Sequence, residues 1–306
     1  MKNPEISVVI PAYNTGKILQ ETIGSVLDQT FENFELIIVD DGSTDAETLD
    51  ILKSQKDDRI RIIHQTNGGV AAARNRGIAE STGKFIAFLD HDDLFLPEKL
   101  ADLKNFMDET SSAAMVYSDI IPFGQLSEPI IQLPRVKKLD PLILFKRNFI
   151  YSMSCVMVRR SFLEEYHIAL DPECVPCDDW DFYCQCVVRG EIHSIGYPLV
   201  KYRIHSGNQS CDQIKMYKAG IRAAFKHLQM LDDNAQITGL PKRKLRQAAH
   251  WALSEHHYGI SLIYFCRKNI REMLSHAWKA FFYRPLSDKV PRFIWKKLKR
   301  KIFRLN

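Results

Sequence analysis

The sequence contains no long uninterrupted hydrophobic run. Nowhere in its 306 residues are there the about 18 consecutive apolar residues that a membrane-spanning helix needs. The longest candidate, around residues 259–266, is far too short. The N-terminal stretch MKNPEISVVIPAYN also lacks an apolar segment of signal-peptide length. We therefore expect a cytoplasmic protein.

Cysteine is sparse, and its number is odd. The chain has seven cysteines, which favours a reducing compartment over a disulfide framework. The spacing of Cys174, Cys177, Cys184 and Cys186 permits a zinc site of four thiolates. Two of them share one helical segment and point in diverging directions, so ordinary buried or loop cysteines are the favoured alternative.

Acidic residues are absent from the last segment of the sequence. Residues 289–306 contain eight Lys or Arg and no Asp or Glu, and since the whole chain carries +5, the remainder carries −3 (5 minus 8). This distribution argues against a broad nucleic-acid surface and for one local anionic partner. Apolar residues are interleaved with the cations, which favours an amphipathic helix on an anionic membrane. The alternative is a terminal helix packed on the domain.

Short runs rich in Ile, Val and Phe predict strands buried on both faces, as in parallel sheets. These runs span residues 6–11, 34–40, 61–64 and 84–90. Helical spacing of apolar residues follows each run, at 18–27, 46–53, 70–80 and 97–107. This alternation predicts a doubly wound α/β unit over about the first 120 residues.

Beyond this unit the pattern loosens. Residues 120–150 contain four prolines and are interpreted as loops with short helices. A strand is predicted at 154–158 and a helix at 179–189. Three helical stretches follow residue 214, with breaks near 234–241 and at Pro285.

Polar and acidic residues stand where three of the predicted strands end. They are PAYN (11–14), DDGSTD (40–45) and DHDD (90–93). In open α/β sheets, ligands bind outside the carboxyl ends of the strands, so these groups are expected to face one crevice. A divalent cation would offset the repulsion among the carboxylates, and Mg²⁺ or Mn²⁺ would keep positions open for phosphate oxygens. The pattern favours a nucleotide diphosphate ligand, whereas a lone acidic cluster is more often a solvated turn.

Four motifs in a fixed order carry a family resemblance. VVIPAYN, VDDGSTD, NGGVAAARNRG (67–77) and FLDHDD resemble glycosyltransferase family 2, over roughly residues 5–210. The resemblance implies a GT-A fold, which is a Rossmann-like, mostly parallel sheet flanked by helices. It implies the following division: a GT-A domain at 1–212, with a nucleotide-sugar-binding half at 1–119 and an acceptor half at 120–212, and a helical C-terminal region with the basic tail at 213–306.

The resemblance assigns the donor site. Pro11, Ala12 and Tyr13 would line the nucleobase and ribose, although Tyr13 is alternatively a core aromatic. Asp41 would accept from an imide N–H of uracil or thymine, with Asp40 nearby; the alternative for this pair is helix capping. The remaining donor-side assignments are Asp90 facing the ribose or the second shell of the metal, Asp92 as the direct Mn²⁺ or Mg²⁺ ligand, Asp93 as either a part of the site or support, and Arg74 at the phosphates or in a structural ion pair.

The acceptor side is assigned in the same way. PCDDWDF (176–182) resembles the family's EDWD segment, so Asp179 would be the catalytic base and Asp178 and Trp180 would bind the acceptor. Alternatives are an acidic first turn for the aspartates and simple packing for Trp180. YRIHSGNQS (202–210) resembles the family's YRxHxxSxS ending, so His205 would approach the metal or the diphosphate, and Arg203 the phosphates. Gln185 stands where the family often has Arg, which leaves the acceptor open.

The predicted function is therefore an inverting, metal-dependent glycosyltransferase. It would move a sugar, of hexosyl or N-acetylhexosaminyl type, from a nucleotide diphosphate donor, expected to be a UDP-sugar, to a glycan or lipid-linked acceptor in surface polysaccharide biosynthesis. The membrane tail would place it on the inner face of the membrane, with no nucleic-acid partner. The alternatives are a nucleotidyltransferase, disfavoured by a first loop with one Gly and one Lys, and a non-catalytic homologue.

Overall fold

Strands and helices alternate through the N-terminal half, as the apolar pattern predicts. The computed structural model describes residues 3–125, 138–208, 211–233 and 241–284. The strands are β1 (Ile6–Ala12), β2 (Phe34–Asp40), β3 (Ile60–His64), β4 (Phe85–Phe88), β5 (Leu94–Phe95), β6 (Ala113–Gly124), β7 (Val156–Arg159) and β8 (Glu191–Ile204). The helices are α1 (Ile18–Leu27), α2 (Ala46–Ser54), α3 (Val70–Glu80), α4 (Lys99–Glu109), α5 (Pro141–Lys146), α6 (Arg160–Tyr166), α7 (Asp178–Val187), α8 (Gln213–Asp232), α9 (Lys242–Cys266) and α10 (Ile270–Tyr283).

Eight strands form one mixed sheet in the order β3-β2-β1-β4-β7-β6-β8-β5. The first four of these neighbours pair in parallel, which explains why their sequences are continuously apolar instead of alternating. Strand β7 is antiparallel to both β4 and β6, while β8 runs parallel to β6 and antiparallel to β5. The sheet is therefore parallel from β3 to β4, the side predicted to bind the donor, and mixed beyond β4.

The register brings the predicted polar groups to one edge of the sheet. Ala12 at the end of β1 pairs with Asp40 at the end of β2, and Val9 pairs with Phe88 of β4. Helix α3 lies close against β1 because Gly77 has no side chain: a Cβ there would come within 2.2 Å of Val9 Cγ1. Adjacent carboxyl ends therefore face one crevice, as predicted.

Two long strands were not predicted from the sequence. Strand β6 has 12 residues and β8 has 14, and both are only partly buried along their length. Gly196 and Pro198 interrupt the apolar pattern of β8, and register shifts interrupt its pairing with β6. Such irregular strands lack the continuous apolar run that identifies β1 and β2.

One helix boundary among the C-terminal helices differs from the predictions. In the N-terminal half, the N-cap of α2 is Asp45, whose Oδ1 accepts from Thr48 N at 2.8 Å. The C-terminal helices are divided at Arg267–Asn269, where Lys268 has a φ of +58° and Asn269 caps α10. The stretch beyond Pro285, including the predicted membrane tail, lies outside the described residues.

The cysteines are free and do not form the zinc group. Among the described residues, the group with metal-ligand spacing joins Cys174 to Asp171 and Asp181, and Lys226 forms ion pairs with both carboxylates. The four cysteines of the zinc alternative are buried separately as ordinary small apolar side chains. None of the described helices is long and apolar enough to cross a membrane.

Candidate active site

The end of β1 presents an exposed aromatic ring. Pro11 and Ala12 are buried in the strand, whereas Tyr13 is 47% exposed and offers a free face for stacking. Asn14, with a φ of +48°, turns its side chain back, and its Oδ1 accepts from Thr44 N at 2.8 Å. The PAYN segment and the DDGSTD segment are therefore fixed to each other by hydrogen bonds.

Asp41 holds the loop that leads into α3. Its buried carboxylate accepts three hydrogen bonds, from Gln65 Nε2 at 2.7 Å and from Gly68 N and Gly69 N at 2.8 Å each. A carboxylate has about four acceptor positions, so one remains for a ligand. The predicted contact with a base imide stays a prediction, but the structure adds a loop-holding role that sequence reasoning missed.

Asp40 is the partner of a histidine that the motif does not include. Its Oδ1 accepts from Ser43 N at 3.0 Å, and its Oδ2 lies 2.8 Å from His64 Nδ1. Burial opposes ionisation, yet these hydrogen bonds keep the pKa of Asp40 below its usual value. Asp40 is therefore an anion that orders the turn after β2.

Arg74 of α3 joins the two acidic segments of the site. Its NH2 group lies 2.5 Å from Asp90 Oδ1, and its NH1 group lies 2.9 Å from Asp178 Oδ2. The guanidinium is buried, and the neighbouring Asp90 and Asp178 charges overcome the cost of burial and raise its pKa. This is the ion-pair alternative; contact with donor phosphates stays a prediction, as does acceptor contact for the buried Asp178.

Asp93 supports the acidic loop from below. It is fully buried, and its Oδ2 lies 2.6 Å from Ser154 Oγ and 3.2 Å from Ser152 Oγ. Ser152 Oγ also lies 3.0 Å from Asp90 Oδ2, but a hydroxyl has only one proton to donate. Ser152 can therefore donate to only one of the two carboxylates at a time. Burial and the charges of Asp90 and Asp92 raise the pKa of Asp93 well above its usual value. These contacts give Asp93 a supporting position beneath the loop, and a role toward the ligand stays a prediction.

Asp92, in the loop after β4, and His205, after the end of β8, are in contact. Asp92 Oδ2 lies 2.9 Å from His205 Nε2, although 113 positions separate them in the sequence. Arg203, just before His205, fixes this approach: its backbone N–H donates to Asp93 Oδ1 at 3.0 Å and its Nε donates to Asp92 O at 2.8 Å. The Arg203 head also pairs with Glu21, so its predicted contact with phosphates stays a prediction.

The spacing of this pair suits a divalent cation. Two ligand atoms at right angles, each about 2.1 Å from Mg²⁺ or a similar ion, lie about 3 Å apart, close to the 2.9 Å observed between Asp92 and His205. In the geometry seen here, Gly207 N–H donates to His205 Nδ1 at 3.1 Å, so the hydrogen-bond network places the imidazole proton on Nε2. Binding through Nε2 requires the other tautomer, and therefore the release of the Gly207 contact.

Asp179, at the start of α7, is the carboxylate best suited to accept a proton. Its Oδ1 accepts from Trp180 N at 2.6 Å and its Oδ2 from Asn148 Nδ2 at 3.1 Å. Burial, followed by the adjacent charge of Asp178, raises the pKa of Asp179 to about 7. A carboxylate with such a pKa is matched to general-base work near neutral pH.

One cavity of about 420 Å³ brings these groups together. Of the residues predicted from the sequence, it is lined by Arg74, Asp90, Asp92, Asp178, Asp179, Trp180 and His205. Pro11, Ala12, Tyr13, Asp40 and Asp41 do not line it and lie at the neighbouring strand ends. The arrangement places the Asp92–His205 pair and the Asp179 carboxylate around one space large enough for a small ligand.

Three comparisons with known proteins bear on this geometry. The sequence profile of the family described as "Glycosyl transferase family 2" matches residues 7–167, more than half of the chain. The chain belongs to glycosyltransferase family 2. A curated relative, the putative teichuronic acid biosynthesis glycosyltransferase TuaG of Bacillus subtilis, is 36% identical over 162 residues, covering 51% of this chain and 63% of TuaG. The chain spans only 16–18% of the length of three rickettsial glycosyltransferases that it matches at 47–50% identity.

Solved structures share the fold of this family 2 chain. TarS 1-349 of S. aureus, in complex with UDP-GlcNAc, has a TM-score of 0.66 at 19% identity and covers 93% of each chain. The mannosyltransferase PcManGT of Pyrobaculum calidifontis, in complex with GDP-Man and Mn²⁺, has a TM-score of 0.61 at 16% identity, covering 99% of this chain and 81% of PcManGT. The GT-A fold with a helical C-terminal region is therefore confirmed.

The C-terminal helices of this family 2 chain also line the cavity. Met216 and Tyr217 of α8 and His256 of α9 contribute to its wall, which sequence reasoning did not foresee. The predicted boundary after residue 212 matches the start of α8, but the site extends across it. Trp180 is only 2% exposed and its Nε1 donates to Leu144 O at 2.7 Å, so direct contact with an acceptor stays a prediction.

A lysine from a distant helix lies beside Gln185, the residue that stands where the family often has Arg. Asp181 is buried on α7, and Lys226 Nζ of α8 donates to its Oδ2 at 2.7 Å. Gln185 Nε2 donates to the same oxygen at 2.8 Å. The cation therefore comes from a distant helix, which no pattern within the segment could reveal.

Proposed function

We propose that this chain is an inverting glycosyltransferase that moves a sugar from a nucleotide diphosphate donor to a hydroxyl acceptor. The observation that carries the proposal is the position of Asp179, whose pKa is raised to about 7, in one cavity with Asp92 and His205. A base and a cation-binding pair around one space suit a displacement in which a proton leaves one reactant and an anion leaves the other.

In the proposed reaction, Asp179 takes the proton from the acceptor hydroxyl. The hydroxyl oxygen forms a bond to the anomeric carbon from one face, while the bond between that carbon and the diphosphate oxygen breaks on the other. The leaving group departs as the nucleoside diphosphate, and the configuration at the anomeric carbon inverts. Asn148 and the Trp180 N–H hold the Asp179 carboxylate in place, and the nearby charge of Asp178 maintains its basicity.

Asp92 and His205 would hold Mn²⁺ or Mg²⁺, which supplies charge neutralisation for the diphosphate leaving group when bound. Support comes from the 2.9 Å spacing of their ligand atoms and from the Mn²⁺ complex of the structural neighbour PcManGT. Asp90 is kept beside them by Arg74 and Ser152. The guanidinium of Arg74, paired with Asp90, limits the repulsion among the carboxylates of this loop.

The donor is proposed to be a UDP-sugar of hexosyl or N-acetylhexosaminyl type. Tyr13 would stack on the base, Pro11 and Ala12 would line the base and ribose, and Asp41 would accept from the base imide with Asp40 beside it. The UDP-GlcNAc complex of TarS supports this choice, while the GDP-Man complex of PcManGT requires that guanine nucleotides be tested as well.

The acceptor is proposed to be a glycan or a lipid-linked glycan in surface polysaccharide biosynthesis. The relationship to TuaG, whose description places it in teichuronic acid biosynthesis, supports this class. The segment 289–306, with eight cations and no acidic residue, would attach the chain to the inner face of the membrane. No role with nucleic acid is proposed, since the remainder of the chain carries a net negative charge.

A donor panel tests the function. Full-length protein is mixed with UDP- and GDP-sugars in the presence and absence of Mn²⁺, and thermal shift and donor hydrolysis are measured. We expect one nucleotide sugar to stabilise the protein with Mn²⁺ and to be hydrolysed slowly to the nucleoside diphosphate. Release of pyrophosphate from a nucleoside triphosphate and sugar phosphate would favour a nucleotidyltransferase, whereas binding without hydrolysis or transfer would favour a non-catalytic protein.

A further inference from the structure

Helix α10 carries a stripe of large apolar side chains that face solvent. Ile270, Leu274, Trp278 and Phe282 recur every four residues along one side of the helix and are 46%, 45%, 68% and 70% exposed. We call these four residues the α10 stripe. Two of them are aromatic, and a contiguous exposed row of this kind marks an interaction surface.

The same face of α10 is cationic. The exposed positions of Ile270–Tyr283 hold the four stripe residues together with Arg271, Ser275 and Lys279, and the one carboxylate of this helix, Glu272, is half-buried. The opposite face of the helix is buried through Met273, Ala277 and Ala280. The helix therefore presents apolar and cationic side chains outward, the composition of a helix that lies in the interface of an anionic bilayer.

Charge complementarity distinguishes among the possible occupants of the stripe. The segment that follows α10 carries eight cations and no acid between residues 289 and 306. Covering the stripe with that segment, or with the same face of a second copy, would bring like charges together. A surface of anionic lipid attracts both the stripe's flanking cations and the basic segment, so one partner satisfies both.

The stripe lies one helix away from the cavity. Helix α10 packs on α9, where His257 Nδ1 and His276 Nδ1 lie 2.9 Å apart and the rings of His257 and Tyr283 stack. Helix α9 in turn supplies His256 to the cavity wall. A membrane bound at α10 would therefore contact the same helical unit that completes the cavity.

We propose that the α10 stripe is a docking surface for anionic lipid membranes, with its apolar side chains inserted among the lipids and Arg271 and Lys279 at the headgroups. It is independent of the basic tail and bears on the proposed function only by bringing the cavity near a lipid-linked acceptor. Trp278 and Phe282 would be the anchors, because aromatic side chains favour the boundary between headgroups and acyl chains.

Vesicle flotation of the full-length chain tests the docking surface. The vesicles contain phosphatidylcholine alone, or phosphatidylcholine and phosphatidylglycerol in equal parts. We expect binding to the second kind only, weakened by salt, and reduced at least about tenfold by the combined substitutions Leu274→Ser, Trp278→Ser and Phe282→Ser. The matched control combines Ile121→Ser and Ile143→Ser, which remove exposed apolar side chains elsewhere, and it should bind as the wild type does.

Trp278 gives a second, local readout. In a Trp295→Phe background, which removes the tryptophan of the basic segment, vesicles with phosphatidylglycerol should shift the tryptophan emission to the blue. Adding Trp278→Phe should abolish most of that shift while keeping the flotation. This variant retains an aromatic anchor, so a structural defect would not reproduce the result. An unchanged blue shift in Trp278→Phe would overturn the assignment of the anchor.

Other outcomes point to other occupants and overturn the proposal. If the triple variant floats like the wild type, while substitution of the Lys and Arg residues in 289–306 by Gln stops flotation, membrane binding is a property of the tail alone. If the wild type does not bind vesicles and sediments as a dimer, while the triple variant sediments as a monomer, the stripe binds a second copy of the chain. Deletion of 285–306 that creates vesicle binding absent from the full chain would show that the tail covers the stripe.

The docking test and the function test fail separately. Donor hydrolysis in solution without vesicles should be the same for the wild type and the triple variant, because none of the three residues lines the cavity. Loss of flotation with intact hydrolysis therefore concerns the membrane surface. Absence of hydrolysis in the wild type concerns the proposed function, whatever the vesicles show.

Discussion

At the edge proposed to bind the donor (the donor edge), Asp41 accepts three hydrogen bonds from the turn that follows β3, and Asp40 accepts two, from Ser43 and from His64 at the end of β3. Across the cavity, neither ring nitrogen of His256 has a hydrogen-bond partner within the described residues. Burial and the charge of Asp178 raise the pKa of Asp179 on that side to about 7, whereas hydrogen bonds lower the pKa of Asp40 despite its burial. The donor edge therefore holds Asp40 as an anion, and the other side holds a carboxylate that can accept a proton near neutral pH.

This difference distinguishes the part of the site proposed to bind the donor from the part proposed to carry out the reaction. Carboxylates whose hydrogen bonds are already made need little rearrangement when a ligand arrives, so the donor edge is pre-organised. The ring nitrogens of His256, which lack partners within the described residues, remain available to a ligand in the cavity.

The largest expected effect is on the acceptor side. Asp179→Asn removes the proposed base and should lower the transfer rate by about 10²–10⁴-fold, the range for loss of general-base catalysis. Donor binding, measured by titration with UDP and Mn²⁺, should stay at the wild-type level because Asp179 lies apart from the turns proposed to bind the nucleobase. A variant that transfers at the wild-type rate would assign the base to another residue.

The next largest effect is expected when Asp41 is removed, because it holds the turn at the donor edge in place. Asp41→Ala leaves the N–H groups of Gly68, Gly69 and Gln65 without their acceptor, and it should lower the free energy of unfolding by about 2–4 kcal/mol. Urea denaturation measures this change. Asp50→Ala, an exposed position on α2, is the control and should change stability by less than about 0.5 kcal/mol. A loss as small as that of the control would contradict the loop-holding role.

Removing the carboxylate of Asp92 tests the cation pair. Asp92→Asn should weaken Mn²⁺-dependent UDP binding by about 10–100-fold, and His205→Ala should do so as well because both supply ligand atoms. Calorimetric titration in the presence and absence of Mn²⁺ separates metal-dependent from metal-independent binding. Normal UDP and Mn²⁺ affinity in Asp92→Asn would rule out the metal role.

The smallest expected effect concerns the tuning of the base. Transfer should fall as the pH drops below about 7, because protonated Asp179, with its pKa raised to about 7, cannot accept a proton. Asp178→Asn removes the neighbouring charge that raises this pKa, so the acidic limb of the rate profile should move to lower pH. Asp171→Asn, whose carboxylate pairs with Lys226, serves as the control and should leave the limb in place. An unmoved limb in Asp178→Asn would contradict the electrostatic account.

The sequence predicted the parts of the site that depend on local pattern. Continuous apolar strands place Asp40, Asp41, Asp90 and Asp92 at strand ends, and neighbouring strand ends lie together by geometry. The pairing of Asp92 with His205 was predicted only as a shared metal role, through the family resemblance. The structure places these two side chains in contact.

Other features depend on contacts between distant segments and could not be predicted. Arg74 of α3 pairs with Asp178 of α7, and Lys226 of α8 pairs with Asp181 of α7. His256 enters the cavity from a helix that the motifs do not include. Strands β6 and β8 were missed because glycine, proline and half-exposed positions obscure their period.

The ion pair between Arg74 and Asp178 has a consequence for how the molecule forms. It links residues 104 positions apart, and the contact of Asp92 with His205 spans 113 positions. Closing such long loops costs chain entropy before the contacts return any stability, so non-local contacts of this kind slow folding. The parallel strands β1 to β4 lie within the first 88 residues and make far shorter connections. A chain emerging from the ribosome therefore has β1 to β4 complete well before α7 and β8 supply the residues that complete the cavity.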